Sequence, residues 1–349
     1  MRLYICHTYY HVYVSILKEL VAQKSKGDRG VVLLSTISTD FTGLEERLKK
    51  SNIFFDVRIL KECHPKDFKE AFSGSLGTGN WLKKLRTRRR FYQYMVQNEG
   101  KYIREDFSKY KEIYVFCDSD PIGYYLNAKH IPYIAVEDGN NSGRYNSVVI
   151  ANQGFFWLKR ILAKCNYLFM QDGYSKYGKA YEVNSAQGVY SKGRRIIECS
   201  RHMLMNQLNE KDKLQLYNVF KCWDSLESVR STKKCAMILT QPLCTEENRI
   251  RLYQKIVNMF EGEYNVLIKP HPIDQVDYKK AFPQCIVLKG KFPIEIFNLY
   301  CEFDIEKIVT VYSTSLDTLT FAKEKVSLGV DILDEFESPT LHSDLKKKV

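Results

Sequence analysis

The residues of this chain best suited to chemistry sit in short polar clusters that follow apolar runs. Lys269, Pro270, His271 and Pro272 follow the run at 264–268. The two prolines remove backbone donors and restrain the backbone, so the imidazole is presented by a stiff turn, as a proton donor or a phosphate partner. Ser313, Thr314 and Ser315 lie between a strand-like run at 308–311 and a helical pattern at 316–322. Hydroxyls and free backbone N–H groups at a helix N-terminus form an anion site. With Lys269 and His271 at the neighbouring strand end, they make a phosphate site that needs no metal. Glu137, Asp138 and Gly139 supply adjacent carboxylates on a tight turn. One of the two is a candidate general base for a hydroxyl nucleophile, a role worth about 10² to 10⁴ in rate.

Each cluster also has a plain reading, as a strand-ending turn, an N-cap or a solvated Asp-Gly turn. Their recurrence at equivalent places is what points to a site. Asp118, Ser119 and Asp120 have the spacing of a metal-binding acidic pair, but Pro121 follows at once and no second acidic or histidine pair matches it, so a metal there is disfavoured. No dinucleotide fingerprint or P-loop occurs, and the glycine-rich stretch at 74–79 reads as a flexible loop because no strand precedes it. His64 and Pro65 repeat the His-Pro dipeptide without a comparable strand.

These clusters need a scaffold, and apolar runs alternating with amphipathic stretches predict parallel sheets covered by helices. Runs at 3–6 and 31–34 flank a helical pattern carrying Ile16, Leu17, Leu20 and Val21, and further strands are expected at 113–116, 133–136 and 167–170. A second series holds strands at 235–239, 264–268 and 308–311, with a helix presenting Tyr253, Ile256, Val257 and Phe260 on one face. The stretch 201–234 is charged and helical in pattern. The expected organisation is an N-terminal α/β domain over 1–200, a helical connection over 201–234 and a C-terminal α/β domain over 235–349. Two Rossmann-like domains facing a central cleft would gather the strand ends at one site.

The chain of 349 residues is 44% hydrophobic and 27% charged, a soluble globular composition too long for a single core. No run approaches the roughly 18 apolar residues of a membrane span, and the N-terminus reads as a strand rather than a signal, so a cytoplasmic location is expected. Ten cysteines without a CxxC pair, three of them (Cys6, Cys117 and Cys235) in apolar runs, read as reduced core thiols. The net charge is +12, concentrated at 81–90 and in the lysines at 346–348. The stretch at 81–90 mixes tryptophan and leucine with cations, which suits peripheral contact with an anionic membrane, an acidic substrate or a solvated helix face. Nucleic acid is not the expected partner despite the charge and the 24 tyrosines, because no recognised binding motif appears.

Taken in order, the clusters resemble the bacterial sialyltransferases of glycosyltransferase family 52. The resemblance rests on residues 3–8, on Glu137, Asp138 and Gly139, on residues 239–243, on residues 269–272, on Phe292, Pro293, Ile294 and Glu295, and on residues 312–315. No one of these is specific; the ordered set, which runs to about residue 320, is. It implies a GT-B architecture, CMP-sialic acid as donor, no cofactor, and metal-independent inverting transfer to a galactose-type hydroxyl of a surface glycan, commonly the 3-hydroxyl. Another CMP-linked ulosonic acid or polysialic acid extension would use the same donor site, and a homodimer is left open.

On this resemblance His271 contacts the donor phosphate as acid or electrostatic stabiliser. Ser313, Thr314 and Ser315 hold the phosphate or the sialic acid carboxylate, and Glu295 holds the ribose or cytosine. Lys269, Pro272, Thr240 and Gln241 fall on the donor side, and His7, Thr8 and His11 on the acceptor side. The base is Asp138 or Glu137, with Glu246 as the rival because related sequences carry an acidic stretch after the Thr-Gln-Pro-Leu turn. Asp138 is preferred.

Overall fold

The computed structural model describes residues 1–63, 80–139, 154–300 and 303–342. The glycine-rich stretch at 74–79, His64 and Pro65, Asn140 and Asn141, and the lysines at 346–348 lie outside the described residues. The chain divides into two compact units, Met1–Asp212 and Lys213–Val349.

The first unit carries β1 (Arg2–Cys6), β2 (Val31–Ser35), β3 (Asp56–Leu60), β4 (Glu112–Phe116), β5 (Tyr133–Val136), β6 (Gly178–Val183) and β7 (Ile196–Glu198). They form one sheet in the order β3-β2-β1-β4-β5-β6-β7, parallel at every pairing. Strands covered on both faces are apolar over their central positions, and β1 and β2 are buried at all five positions. Leu3, Ile5, Leu33, Val115 and Ala135 share one core. The helix Tyr9–Lys26 starts where the Thr8 hydroxyl accepts the His11 N–H and stops at Gly27, whose φ of 70° suits a residue without Cβ. That start, immediately after β1, places His7 and His11 one turn apart.

The second unit carries β8 (Cys235–Leu239), β9 (Asn265–Lys269), β10 (Ile286–Val287), β11 (Ile305–Thr310) and β12 (Ala322–Ser327). Their parallel sheet runs β10-β9-β8-β11-β12. The helix Glu246–Asn258 packs Leu252, Tyr253, Ile256 and Val257 onto it, the 3.6-residue period of a half-buried helix. Strand order reverses between β1 and β4 in one unit and between β8 and β11 in the other, and such switch points are where open α/β sheets bind ligands.

Three expectations are corrected. The strand at 167–170 does not form: the helix Phe156–Lys164 ends there, Asn166 has a φ of 57°, and the Met170 N–H is taken by the Ser175 hydroxyl at 2.7 Å instead of by a neighbouring strand. The strand that extends the sheet is β6, whose Lys179 and Glu182 interrupt the apolar signal. The helix at 316–322 is a short 3-10 stretch, Thr314–Thr318, and Ala322 opens β12. Pairing with β11 imposes the strand on a lysine- and glutamate-rich sequence, through Lys323 with Glu306 at 2.5 Å and Lys307 with Glu324. Cys117, expected in the core, lies one residue beyond β4, half-buried, with a φ of 55°.

Candidate active site

In the first unit the ends of β1, β3, β4 and β5 bring together His7, His11, Glu62, Cys117, Asp120 and Asp138. His11 is buried and lies flat on Phe116, ring centroids 4.5 Å apart. Its Nδ1 accepts the His7 backbone N–H at 3.0 Å, so the ring proton sits on Nε2, which donates to Asp138 Oδ1 at 2.7 Å. Burial lowers the His11 pKa, and the imidazole is neutral. Asp138 itself is exposed, its side chain 68% accessible. Desolvation by its neighbours opposes its charge, but the hydrogen bond from His11, helped by one from the Cys117 thiol, holds the carboxyl well below the usual range. An ionised carboxylate is thus presented to solvent in a fixed orientation, with one oxygen engaged by His11.

His7 forms the layer beneath. Its Nε2 donates to Glu62 Oε2 at 2.9 Å and lies 3.5 Å from Asp120 Oδ2. Burial disfavours the imidazolium, but the charge and hydrogen bond of Glu62, reinforced by Asp120, push the pKa up to about 9. Glu62 is also held by the Ser35 hydroxyl and by the Ile122 N–H at 2.9 Å, in the first turn of the helix Pro121–Ala128. Burial raises Asp120 to about 6 against the charge of His7. Asp118 is engaged elsewhere: its carboxylate accepts the Asp172 and Gly173 N–H groups at 2.6 and 3.0 Å and the Tyr133 hydroxyl at 3.1 Å. The two acids of the Asp-Ser-Asp sequence therefore serve different partners.

Glu137, adjacent to Asp138, is buried. It accepts the Asn184 N–H and lies 3.7 Å from Arg201. Arg201 is also 3.7 Å from Glu182, which accepts from Lys18 Nζ at 2.6 Å. Lys18 in turn sits 3.5 Å over the Tyr114 ring. Alternation along the chain after β5 thus separates the pair, one acid inward to a structural network and the other outward. Removing one member of a buried ion network strands the others, at a cost of roughly 3–5 kcal/mol. Glu182→Gln is expected to lower the unfolding free energy by about that amount in urea titrations of the whole chain followed by circular dichroism. A loss of under about 1 kcal/mol would show that the network does not hold the sheet.

Among the described residues, His11, Cys117 and Asp138 bring one potential metal ligand each within 4.8 Å of one another. The hydrogen bonding runs against an ion: a metal on Nε2 would displace the proton that fixes Asp138 and shift it to Nδ1, against the His7 N–H. The cluster suits a hydrogen-bonded carboxylate.

In the second unit the turn bearing His271 is braced from below. Thr240 Oγ1, at the end of β8, accepts the His271 N–H at 3.0 Å, and the Asp274 N–H donates to the His271 carbonyl at 2.9 Å. The buried Asp274 carboxylate is held by Arg249 at 2.6 Å and the Tyr278 hydroxyl at 2.7 Å. Pro272 is half-buried in this turn. The His271 ring is exposed, and its Nδ1 accepts the Ile273 N–H at 3.4 Å, leaving Nε2–H free to donate. Desolvation and the charge of Lys269 lower its pKa. Lys269 is buried, its Nζ 2.9 Å from the Pro270 carbonyl and 4.2 Å over the Phe292 ring. Burial pulls its pKa down to about 7 against the charge of Glu295.

Glu295, in the 3-10 stretch Ile294–Leu299, is buried with its carboxyl raised by desolvation and hydrogen-bonded by Ser315. Ser313 Oγ accepts the Ser315 N–H at 3.2 Å, and Thr314 opens the 3-10 stretch that follows. A five-residue 3-10 stretch in place of a full helix offers no helix dipole at this strand end. Gln241 spends its amide as a clamp across the β8/β11 switch point: Nε2 donates to the Tyr312 carbonyl, while Oε1 accepts the Tyr312 N–H at 3.0 Å and the Thr310 hydroxyl at 3.1 Å. Glu246 is exposed in the first turn of its helix, beyond the Thr245 cap.

Glu62, Cys117, Asp274 and Arg249 are site-supporting residues that the sequence reading missed. Glu62 follows β3, where Asp56 and Arg58 interrupt the apolar signal, and its partner His7 is 55 residues away. Asp274 carried a usable signal, as an acid just after the His-Pro turn.

Two α/β units, each built on one parallel sheet with polar residues gathered at its switch point, have the make-up of the GT-B fold. The chain is similar in fold to the α/β-galactoside α-2,3-sialyltransferase of the luminous marine bacterium Photobacterium phosphoreum, with a TM-score of 0.52 and 10% identity over 93% of this chain and 89% of that one. It is equally similar to the GT-B domain of a Photobacterium damselae sialyltransferase, with a TM-score of 0.52 and 12% identity over 93% and 89% of the two chains. The model of glycosyltransferase family 52 matches residues 78–334, and the chain belongs to that family. An uncharacterized protein of Haemophilus influenzae is 26% identical over 196 residues, 47% of this chain and 62% of the relative, so the match spans less than two thirds of that relative's length. No helix among the described residues is long and apolar enough to cross a membrane.

Proposed function

We propose that this glycosyltransferase is a sialyltransferase that moves sialic acid from CMP-sialic acid to a terminal galactose-type hydroxyl of a surface glycan, forming an α-2,3 bond with inversion and without a metal ion. Membership of family 52 and the likeness to two sialyltransferases support the reading. The observation that carries it is Asp138, an exposed carboxylate kept ionised and oriented by a buried neutral histidine.

In the reaction the acceptor oxygen bonds to the anomeric carbon as the bond from that carbon to the phosphate oxygen breaks. The hydroxyl proton goes to Asp138, at the carboxylate oxygen that His11 does not engage. A carboxylate with a depressed pKa is a weak base, so it takes that proton late, once bond formation to an oxocarbenium-like centre has made the hydroxyl acidic. The departing CMP phosphate gains negative charge, which the His271 Nε2–H, the Ser313 hydroxyl and the charge of Lys269 stabilise. Glu295 accepts the Ser315 hydroxyl and so fixes the turn that carries both serines.

Lys269 and His271 both have lowered pKa values, and a bound phosphate raises them. CMP binding is therefore expected to take up protons, with affinity falling as pH rises above about 7 and approaching a tenfold loss per unit where one proton is linked. Titration calorimetry with CMP in buffers of differing ionisation enthalpy measures both. Tight binding of UDP with none of CMP would overturn the donor assignment, whereas CMP binding without proton uptake would remove Lys269 and His271 from the phosphate site.

A further inference from the structure

In the first unit, the helices Trp81–Glu99 and Phe156–Lys164 line a shared groove of about 500 Å³. Positions 81, 84, 85 and 88 of one helix and 155, 158, 159 and 162 at the other line it, the spacing of two single helix faces. The pair is fixed, because Arg89 Nη1 donates to the carbonyls of Asn166 and Tyr167 at 3.0 and 2.8 Å, just beyond the second helix.

Large apolar side chains are left in water here: Trp81 is 57% exposed, Phe155 74% and Trp157 54%, with Leu158 and Ile161 also exposed. The charge around them has one sign. Residues 81–98 hold two lysines and four arginines without an acid, and residues 155–164 hold Lys159, Arg160 and Lys164, again without one. Among the described residues, Lys84, Arg88 and Lys159 have no carboxylate partner. Lys159 is lowered by burial and then by the charge of Arg88, so like charges crowd at the rim. Contiguous exposed aromatic and aliphatic groups framed by cations suit a partner that is apolar inside and anionic at its surface. Nucleic acid offers the charge and stacking but nothing for Leu158 and Ile161.

We infer that this groove and its rim dock the protein on an anionic lipid bilayer, with Trp81, Phe155 and Leu158 entering the acyl boundary and Lys84, Arg88 and Lys159 meeting headgroup phosphates. This holds whatever sugar the enzyme transfers.

The full chain is tested by co-sedimentation with vesicles of phosphatidylglycerol and phosphatidylcholine, and with phosphatidylcholine alone. Trp223→Phe leaves Trp81 and Trp157 as the reporters, since the chain has three tryptophans. The expected result is binding to the anionic vesicles only, weakened by salt, with a blue shift of tryptophan emission. Lys84→Gln with Arg88→Gln should lower the partition roughly thirtyfold, about fivefold per charge, and Trp81→Ala with Phe155→Ala should abolish the shift, both variants keeping the parent circular dichroism. Four results would overturn the proposal: no binding, equal binding to both vesicles, full displacement by soluble glycerol phosphate, or a Trp81 already shielded from acrylamide in the free protein because the chain itself covers the groove.

Discussion

Asp138→Asn is expected to lower kcat for transfer by about 10² to 10⁴ while leaving CMP affinity unchanged. The amide keeps an oxygen for the His11 Nε2–H, so geometry survives and only the charge and basicity are lost. Donor hydrolysis, in which CMP leaves to water, should fall far less than transfer, because the substitution acts on the acceptor. Glu137→Gln should behave oppositely, losing stability through the Arg201 and Glu182 network with kcat retained in the folded fraction. Since Asp138 is depressed well below the ordinary carboxylate range, its charge persists across the working pH range, and its contribution is lost only as pH falls through that low value. Transfer by Asp138→Asn within about tenfold of the parent would remove it as the base, and the same assay on Glu246→Gln would then test the rival.

His271→Ala is expected to produce the second large loss, about 10² to 10³ in kcat, and its signature differs. The side chain serves the leaving phosphate, so transfer and donor hydrolysis should fall together. Thr240→Val, which removes the hydroxyl that accepts the His271 N–H, should give a smaller loss of the same kind by loosening the turn. Hydrolysis that persists at the parent rate in His271→Ala would show that some other group stabilises the departing CMP.

The strands that carry these residues were legible because a parallel strand covered on both faces is apolar over its central positions, as in β1, β2, β8 and β9. Where tertiary pairing overrides composition, the sequence misleads. The stretch at 167–170 is apolar yet irregular, since Leu168 is buried and Phe169 stacks on Tyr124 with centroids 4.0 Å apart without any strand partner. β6 was hidden because Glu182 pairs with Lys18, 164 residues away, and β12 because its lysines and glutamates are satisfied by β11. The separation of Glu137 from Asp138 had the same cause, as which acid turns inward depends on Arg201 and Asn184. His7 and His11 were visible as polar residues after β1, but not their roles, which rest on Glu62 below one ring and Asp138 beyond the other.

Sialyl transfer is measured most directly by incubating the protein with CMP-sialic acid and lactose and following product mass and CMP release together. A sialylated lactose is expected, formed in step with CMP, in the presence of a metal chelator. No transfer and no CMP release across a panel of galactose-terminated acceptors, with turnover of a UDP-sugar instead, would contradict it.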